Sequence, residues 1–295
     1  MNTKTAMITI AGRPNVGKST LTNYLVGEKI TIVSNKPQTT RNRICGIVTR
    51  DNLQFVFVDT PGYHRARTKL GDYMVSAVRE SIADVDATIL VVEPIASVGA
   101  QEEALLEQLR GSRVILAINK IDTVEKPQLL AVMEAYHQVH EFTAIMPISA
   151  KRRDGLEELL DLLSGFLPEG AQLFPRDAVT DQPERQICAE IVREKLLYCL
   201  DKEIPHGTAV EVTKFSEREN GILDLHVTIY CEKASHKGII IGKQGTMLKK
   251  ISTMAREDVE RFMGTKVYLE TWVKVKENWR DNLNLIRNLG FDERD

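Results

Sequence analysis

From Met7 to about Leu163, short apolar runs alternate with stretches whose apolar residues recur every three or four positions. The runs AMITIAG, ICGIVT, FVFVDT, ATILVVE, VILAINK and TAIMPIS predict strands, with β-branched residues and turn residues at their ends. Helical spacing follows at Leu70 to Ile82, Gln101 to Leu109, Gln128 to His137 and Gly155 to Leu163, and a further helix starts near Lys18. This alternation predicts an α/β domain, a mostly parallel sheet covered by helices. One interval departs from it. ICGIVT and QFVFVDT are separated only by the polar region around Arg50, Asp51 and Asn52, too short for a helical crossover. The two predict an antiparallel hairpin, which makes the sheet mixed with one antiparallel edge strand.

The periodicity stops after Ser164, where Gly165, Pro168, Gly170, Pro175 and Pro183 crowd together. This divides the chain into a first domain at 1–165, a linker at 166–183 and a second domain at 184–295. The second domain reads as a helix (Glu184 to Leu200), two strands (Thr208 to Phe215, Leu223 to Cys231), a Gly-rich turn, a helix (Thr246 to Phe262) and a strand (Lys266 to Val275). Asp281 to Leu289 predicts a terminal helix. No internal repeat or low-complexity segment interrupts this order.

A length of 295 residues gives room for two domains, and 43% hydrophobic with 27% charged residues is the balance of an ordinary globular protein. No apolar run approaches the ~18 residues of a membrane span, and the first strand is reached without a signal peptide's basic and apolar regions. A cytosolic protein is expected. Cys45, Cys188, Cys199 and Cys231 have no metal-ligand spacing and read as reduced, mostly buried thiols. A net charge of -2 gives no general attraction to nucleic acid, so any basic surface must be local.

Four segments carry candidate chemistry, and their order is that of a guanine-nucleotide pocket. Gly12, Arg13, Pro14, Asn15, Val16, Gly17, Lys18, Ser19 and Thr20 form the pattern G-x-x-x-x-G-K-[ST] between a strand and a helix. Backbone N–H groups of such a loop converge on phosphate, Lys18 reaches the β- and γ-phosphates, and Ser19 ligates Mg²⁺. Asp59, Thr60, Pro61 and Gly62 follow a strand. Asp59 suits a metal contact, and the Gly62 N–H could sense the γ-phosphate. Asn119, Lys120 and Asp122 supply the base site: the Asp122 carboxylate matches guanine N1–H and the exocyclic amine, which adenine lacks on that edge. Asn119 would tie this loop to the phosphate loop, the Lys120 stem would cover the base, and in Ser149, Ala150 and Lys151 the Ala150 N–H would meet guanine O6. Thr39 or Thr40 lies in a polar loop suited to closing on the metal.

The chain resembles the translation-factor-like GTPases, in their bacterial ribosome-assembly branch. The likeness rests on GRPNVGKST, the switch-like KPQTTRNR (Lys36 to Arg43), DTPG, NKID, SAK, the FP-D--TD pattern from Phe174 to Asp181 and WVKVK (Trp272 to Lys276), and covers nearly the whole chain. It implies that Thr40 is the switch threonine, that Lys18, Thr40 and Gly62 serve GTP hydrolysis, and that Ser19, Thr40 and Asp59 hold Mg²⁺. It also implies a K⁺ site at Asn15. Tyr63 stands where signalling GTPases place a water-orienting Gln, so turnover is expected to be slow. The implied partners are GTP and GDP, the 3′ end of small-subunit (16S) ribosomal RNA and the 30S subunit, for a monomer in the cytoplasm with peripheral association at the inner membrane. His64 could approach the γ-phosphate, but a solvated loop histidine is the simpler reading. His137 and His140 have no third ligand nearby, so no zinc site is expected.

In the second domain, Ile241, Gly242, Lys243, Gln244 and Gly245 carry a G-x-x-G spacing that is common by chance. The order α-β-β-turn-α-β around it resembles a type II K-homology domain, whose G-x-x-G loop clamps the backbone of about four nucleotides. Acidic and basic residues balance at 19 each from Glu184 to Asp295, yet Lys233 to Lys276 holds ten basic residues against four acidic. Lys233, Lys237, Lys243, Lys249 and Lys250 could form a phosphate-tracking stripe, the alternative being a solvated helix face. Ile239, Ile240, Ile241 and Leu248 read as groove floor or core. The sequence also leaves open a signalling GTPase that uses this domain to dock a protein or a membrane surface.

Overall fold

The computed structural model describes residues 2–62, 68–83 and 85–291. Six strands form one sheet: β1 (Lys4–Ala11), β2 (Ile44–Arg50), β3 (Leu53–Asp59), β4 (Ala87–Val92), β5 (Val114–Ile118) and β6 (Ala144–Pro147), in the order β2-β3-β1-β4-β5-β6. Every neighbouring pair is parallel except β2 and β3, whose register runs from Ile44 opposite Asp59 to Arg50 opposite Leu53. The predicted hairpin forms and lies at the sheet edge.

Alternate residues of each strand point to opposite faces, so both faces need cover. Ile8, Ile10, Phe55, Phe57, Ile89, Val91 and Ile115 meet α1 (Lys18–Val26) and α5 (Leu156–Ser164) through Leu21, Leu25, Leu156, Leu159, Leu160 and Leu163. Leu90, Val92, Leu116 and Ile118 meet α2 (Lys69–Ala83), α3 (Ala100–Gln108) and α4 (Lys126–His137) through Val78, Ile82, Leu105, Leu106, Val132 and Tyr136. Central β4 and β5 are buried along their whole length, which is why they read as unbroken apolar runs. The parallel strands all end at one edge of the sheet, where an open α/β fold places its ligand loops.

The described residues fall into two compact units. One gathers those of Met1–Thr31, Thr40–Ala66 and Met74–Asp181; the other gathers those of Ile32–Thr39, Arg67–Tyr73 and Gln182–Asp295. Residues 166–181, within the segment 166–183 read from sequence as a linker, run along β2 and β3. Gln54 accepts from the N–H groups of Leu173 and Phe174 (2.8 and 3.0 Å), Val179 O accepts from Ile47 N (2.9 Å) and Asp181 Oδ1 accepts from Cys45 N (3.0 Å). The Gly and Pro content marks an irregular path, and edge hydrogen bonds fix it.

In the second unit α6 (Glu184–Cys199) precedes β7 (Ala209–Glu217), β8 (Leu223–Cys231), α7 (Ala234–Ile241), α8 (Thr246–Met263), β9 (Val267–Val275) and α9 (Leu283–Asn288). Its sheet has the order β7-β8-β9, antiparallel then parallel. The core joins Ile187, Ile191 and Leu196 of α6 to Leu225, Val227 and Ile229 of β8 and to Ile251, Ala255 and Val259 of α8. The predicted Gly-rich turn is present at Gly242–Gly245, but an unpredicted helix, Ala234–Ile241, precedes it, so the order is α-β-β-α-α-β. A β-branched Ile run after Gly238 argues against a helix locally, and burial of Ile240 in the core overrides it. The expected terminal helix is split into a 3₁₀ turn (Trp279–Asp281) and α9, which the Asn282 side chain caps.

Candidate functional site

The phosphate loop leaves β1 at Gly12, turns through Asn15 in the left-handed region (φ 68°) and enters α1 after Gly17. Gly12 (φ 147°) has Val91 O where a Cβ would stand, and Gly17 (φ 103°) has the Asn119 Nδ2 there. Both turns therefore require glycine. No side chain caps α1, whose first N–H groups are left for an anion. Lys18 is buried, and its Nζ donates to Gly12 O (3.1 Å) and Arg13 O (2.9 Å). Burial lowers its pKa to about 8, against the nearby Asp59 carboxylate.

Three oxygens converge beside it. Ser19 Oγ donates to Asp59 Oδ2 (2.8 Å) and lies 2.9 Å from Thr40 Oγ1. Asp59 is fully buried, and its Oδ1 has no hydrogen-bond partner among the described residues. Burial pushes its pKa up to about 6, with Lys18 the main opposing influence. An orphaned carboxylate oxygen among hydroxyls is a hard-oxygen donor set that fits Mg²⁺. Thr39 differs from Thr40: its Oγ1 donates to Lys36 O (2.6 Å) within its own loop. Thr60 turns inward to donate to Ile10 O (3.0 Å), Pro61 is buried, and a Cβ on Gly62 would stand 2.9 Å from Pro14.

The base-side loops are cross-tied. Asn119 Nδ2 donates to Val16 O (2.8 Å), and Asn119 Oδ1 accepts from Ala150 N (3.0 Å). The Ala150 N–H expected to face guanine O6 is thus engaged by Asn119. Asp122 Oδ1 accepts from Ser149 Oγ (2.6 Å), which leads the influences holding its pKa below the usual carboxylate range, and Arg152 lies 3.6 Å from Oδ2. Lys120 (φ 63°) donates to Asn15 O (2.8 Å) and to Glu93 Oε1 (2.5 Å). Glu93 and Arg152 were not singled out from sequence. The available signal for Glu93 is an acidic residue directly after a buried parallel strand, at the ligand edge. Among the phosphate-loop residues, Val16 is a core side chain whereas Thr20 remains partly accessible; in the base-side loop Lys151 is exposed.

In the second unit Gly242 (φ 74°) ends α7, and a Cβ there would stand 2.7 Å from the Met247 Cβ. Gln244 is left-handed (φ 54°), and Gly245 (φ 77°) precedes the uncapped start of α8 with open space where its Cβ would be. Lys233, Lys243, Lys249 and Lys250 are exposed and Lys237 is half-exposed, along α7, the loop and α8. None of the five pairs with a carboxylate among the described residues. Ile240 is buried, Ile241 and Leu248 are half-buried against the core and Ile239 is exposed, so only part of the apolar set is floor.

Comparison with known proteins follows this division. A family profile described as 50S ribosome-binding GTPase matches residues 7–120, and a KH domain profile matches residues 203–280. GTPase Era of Ruminiclostridium cellulolyticum is 50% identical over 99% of this chain and 98% of its own length; GTPase Era of Clostridium kluyveri is 49% identical over 98% and 99%. The chain belongs to the Era family. A crystal structure of Era in complex with MgGDPNP and nucleotides 1506–1542 of 16S ribosomal RNA superposes with a TM-score of 0.94 at 36% identity, covering 98% of this chain and 99% of that one. The Y63A variant of Aquifex aeolicus Era bound to GDP.AlF4- gives the same values.

The Era fold is therefore that of a P-loop GTPase domain with a mixed sheet followed by a KH domain. In this Era-family chain the KH match encloses Gly242 to Gly245, which spacing alone left ambiguous. Tyr63 and His64 lie outside the described residues. His140 packs against Phe142 (ring centroids 4.8 Å apart), and among the described residues no cluster of three His, Cys, Asp or Glu could hold a metal. Among them, too, no helix is long and apolar enough to cross a membrane.

Proposed function

We propose that this chain is a slow GTP-hydrolysing switch that binds single-stranded RNA, the 3′ end of small-subunit ribosomal RNA, and assists maturation of the 30S subunit. The observation that carries the switch is the convergence of Ser19, Thr40 and Asp59, with one buried carboxylate oxygen unpartnered, next to Lys18. In this reading Lys18 swings from the Gly12 and Arg13 carbonyls to the β- and γ-phosphates, Gly62 N–H meets the γ-phosphate, and Asp122 reads guanine. Ser19, Thr40 and Asp59 would hold Mg²⁺, which neutralises charge as the terminal phosphoryl group departs. Tyr63 in place of Gln supports turnover near the ~10⁻⁴ to 10⁻³ s⁻¹ of unassisted switch GTPases. The K⁺ assignment at Asn15 predicts faster hydrolysis in KCl than in NaCl, and equal rates remove it.

The KH loop, with a sterically required Gly242 and unpaired lysines around it, supports RNA as the second ligand. The rRNA 3′ end is argued from kinship with the Era that was crystallised with that fragment. We take the two units as two domains joined near Asp181 and Gln182, in a monomer that works in the cytoplasm with peripheral contact at the inner membrane. Crosslinking in cells followed by sequencing of bound RNA tests the reading. Enrichment of the small-subunit 3′ end, lost on Gly242→Asp, is expected; no enrichment of ribosomal RNA overturns it and favours a protein or membrane partner.

A further inference from the structure

Helix α3 contributes one charged residue to the interior. Glu102 is 2% exposed, and its carboxylate forms an ion pair with Arg13 Nε. Arg13 follows Gly12 in the phosphate loop, and its carbonyl accepts the Lys18 ammonium (2.9 Å). The other Glu102 oxygen, Oε2, is buried with no hydrogen-bond partner among the described residues. A Cβ on Gly99 would stand 2.9 Å from Glu102 Oε2, so the glycine leaves it room. Tyr136 of α4 lies close enough that, after burial, Glu102 is the largest influence raising its pKa and Arg13 lowers it.

Burying a carboxylate is costly, and a residue needed only to fill space between α3 and α4 would be apolar, as Leu105 and Leu106 are. Among the described residues Glu102 has one charged partner, Arg13, at the entrance of the phosphate loop. The geometry points to Glu102 as a positioning residue for nucleotide binding, acting through Arg13. By fixing the Arg13 side chain it ties the loop to α3, in addition to the Lys120–Asn15 O contact (2.8 Å), so that the N–H groups meeting phosphate keep one arrangement. The cation is held by α3, and the loop it belongs to is held with it. This rests on Gly12 to Thr20 being the phosphate loop.

Release of a fluorescent GDP by stopped flow tests it, in the full chain with Mg²⁺. Glu102→Gln, nearly isosteric, is expected to release GDP about tenfold faster while the preference for GDP over XDP stays as it was. Arg13→Met, on a loop and outside the helix, gives the same increase, and adding Glu102→Gln to it changes nothing further, because the acid acts through the arginine. A release rate for Glu102→Gln within twofold of wild type, or a full additional effect on top of Arg13→Met, overturns the inference. If Glu102→Gln fails to fold, Arg13→Met decides alone: a wild-type release rate overturns it. Retention of GDP by Lys18→Ala would instead overturn the phosphate-loop assignment, so the two failures are distinct.

Discussion

At the scale of single residues, the pocket is governed by two buried charges of opposite sign. In the proposed reading, the Asp59 carboxyl, raised to about 6 by burial, must lose its proton before it can hold Mg²⁺. Lys18, lowered to about 8 by burial, is increasingly neutral in the nucleotide-free protein above that pH. Affinity for Mg²⁺–GTP is therefore expected to be level between about 6 and 8, to fall toward tenfold per pH unit below that window, and to weaken above it; calorimetric titrations across pH check both limbs. For folding of the nucleotide-free protein the sign at Asp59 is opposite: a carboxyl whose pKa rises from 3.8 to about 6 on folding loses stability as pH rises between those two values. Asp122→Asn is expected to lower GTP affinity by roughly 10²-fold or more and to raise affinity for XTP, as measured by competition binding. Lys18, Asp59 and Asp122 were legible because each sits at a fixed offset within a short motif. Glu93 and Glu102 were not, because each joins its loop only after a strand or helix packs in place; Glu93 reaches Lys120 from 27 residues away.

Elements show where local preference governs and where packing overrides it. The β2–β3 hairpin was visible because three polar residues cannot hold a crossover, whereas α7 was hidden by Gly238 and three consecutive isoleucines. Ile240 is buried in the core and Ile241 packs against it, and that burial holds the helix against its propensity. The loop after it carries a contrast that can be measured. Gly242 and Gly245 both have positive φ, but only Gly242 lacks space for a Cβ. Gly245→Ala should cost the ~1–2 kcal/mol of a left-handed alanine, and Gly242→Ala should cost more because Met247 must also move; urea unfolding of the two variants separates these terms. Segment 32–39 depends on α6 in a comparable way. Arg193, 1% exposed, donates to Gln38 O and Thr39 O, and Glu194 Oε1 accepts from Val33 N (3.0 Å). Arg193→Met is expected to raise amide hydrogen exchange at 33–39 severalfold while β8 stays protected.

The molecule as a whole joins a nucleotide pocket and an RNA loop in one chain. The change of periodicity near Ser164 suggested a division there, and the stretch that follows is bound to the first unit's sheet edge, with the first unit running to Asp181. Covalent continuity supplies a route between the functions. Segment Ile32–Thr39 belongs to the second unit and leads directly into Thr40, which meets Ser19. In the proposed reading, a nucleotide that recruited Thr40 to a metal would act on the residue that follows a segment α6 holds, and α6 shares its core with α8, the helix that starts at the candidate RNA loop. The account predicts that GTP and RNA binding are linked, and linkage is reciprocal. The most direct measurement is the affinity of the purified full-length chain for a labelled RNA of the small-subunit 3′ end, with a non-hydrolysable GTP analogue and with GDP. Binding at least tenfold tighter with the analogue, abolished by Gly242→Asp without loss of nucleotide affinity, is the expected result; equal affinity in the two nucleotide states, or RNA binding that survives Gly242→Asp, would contradict it.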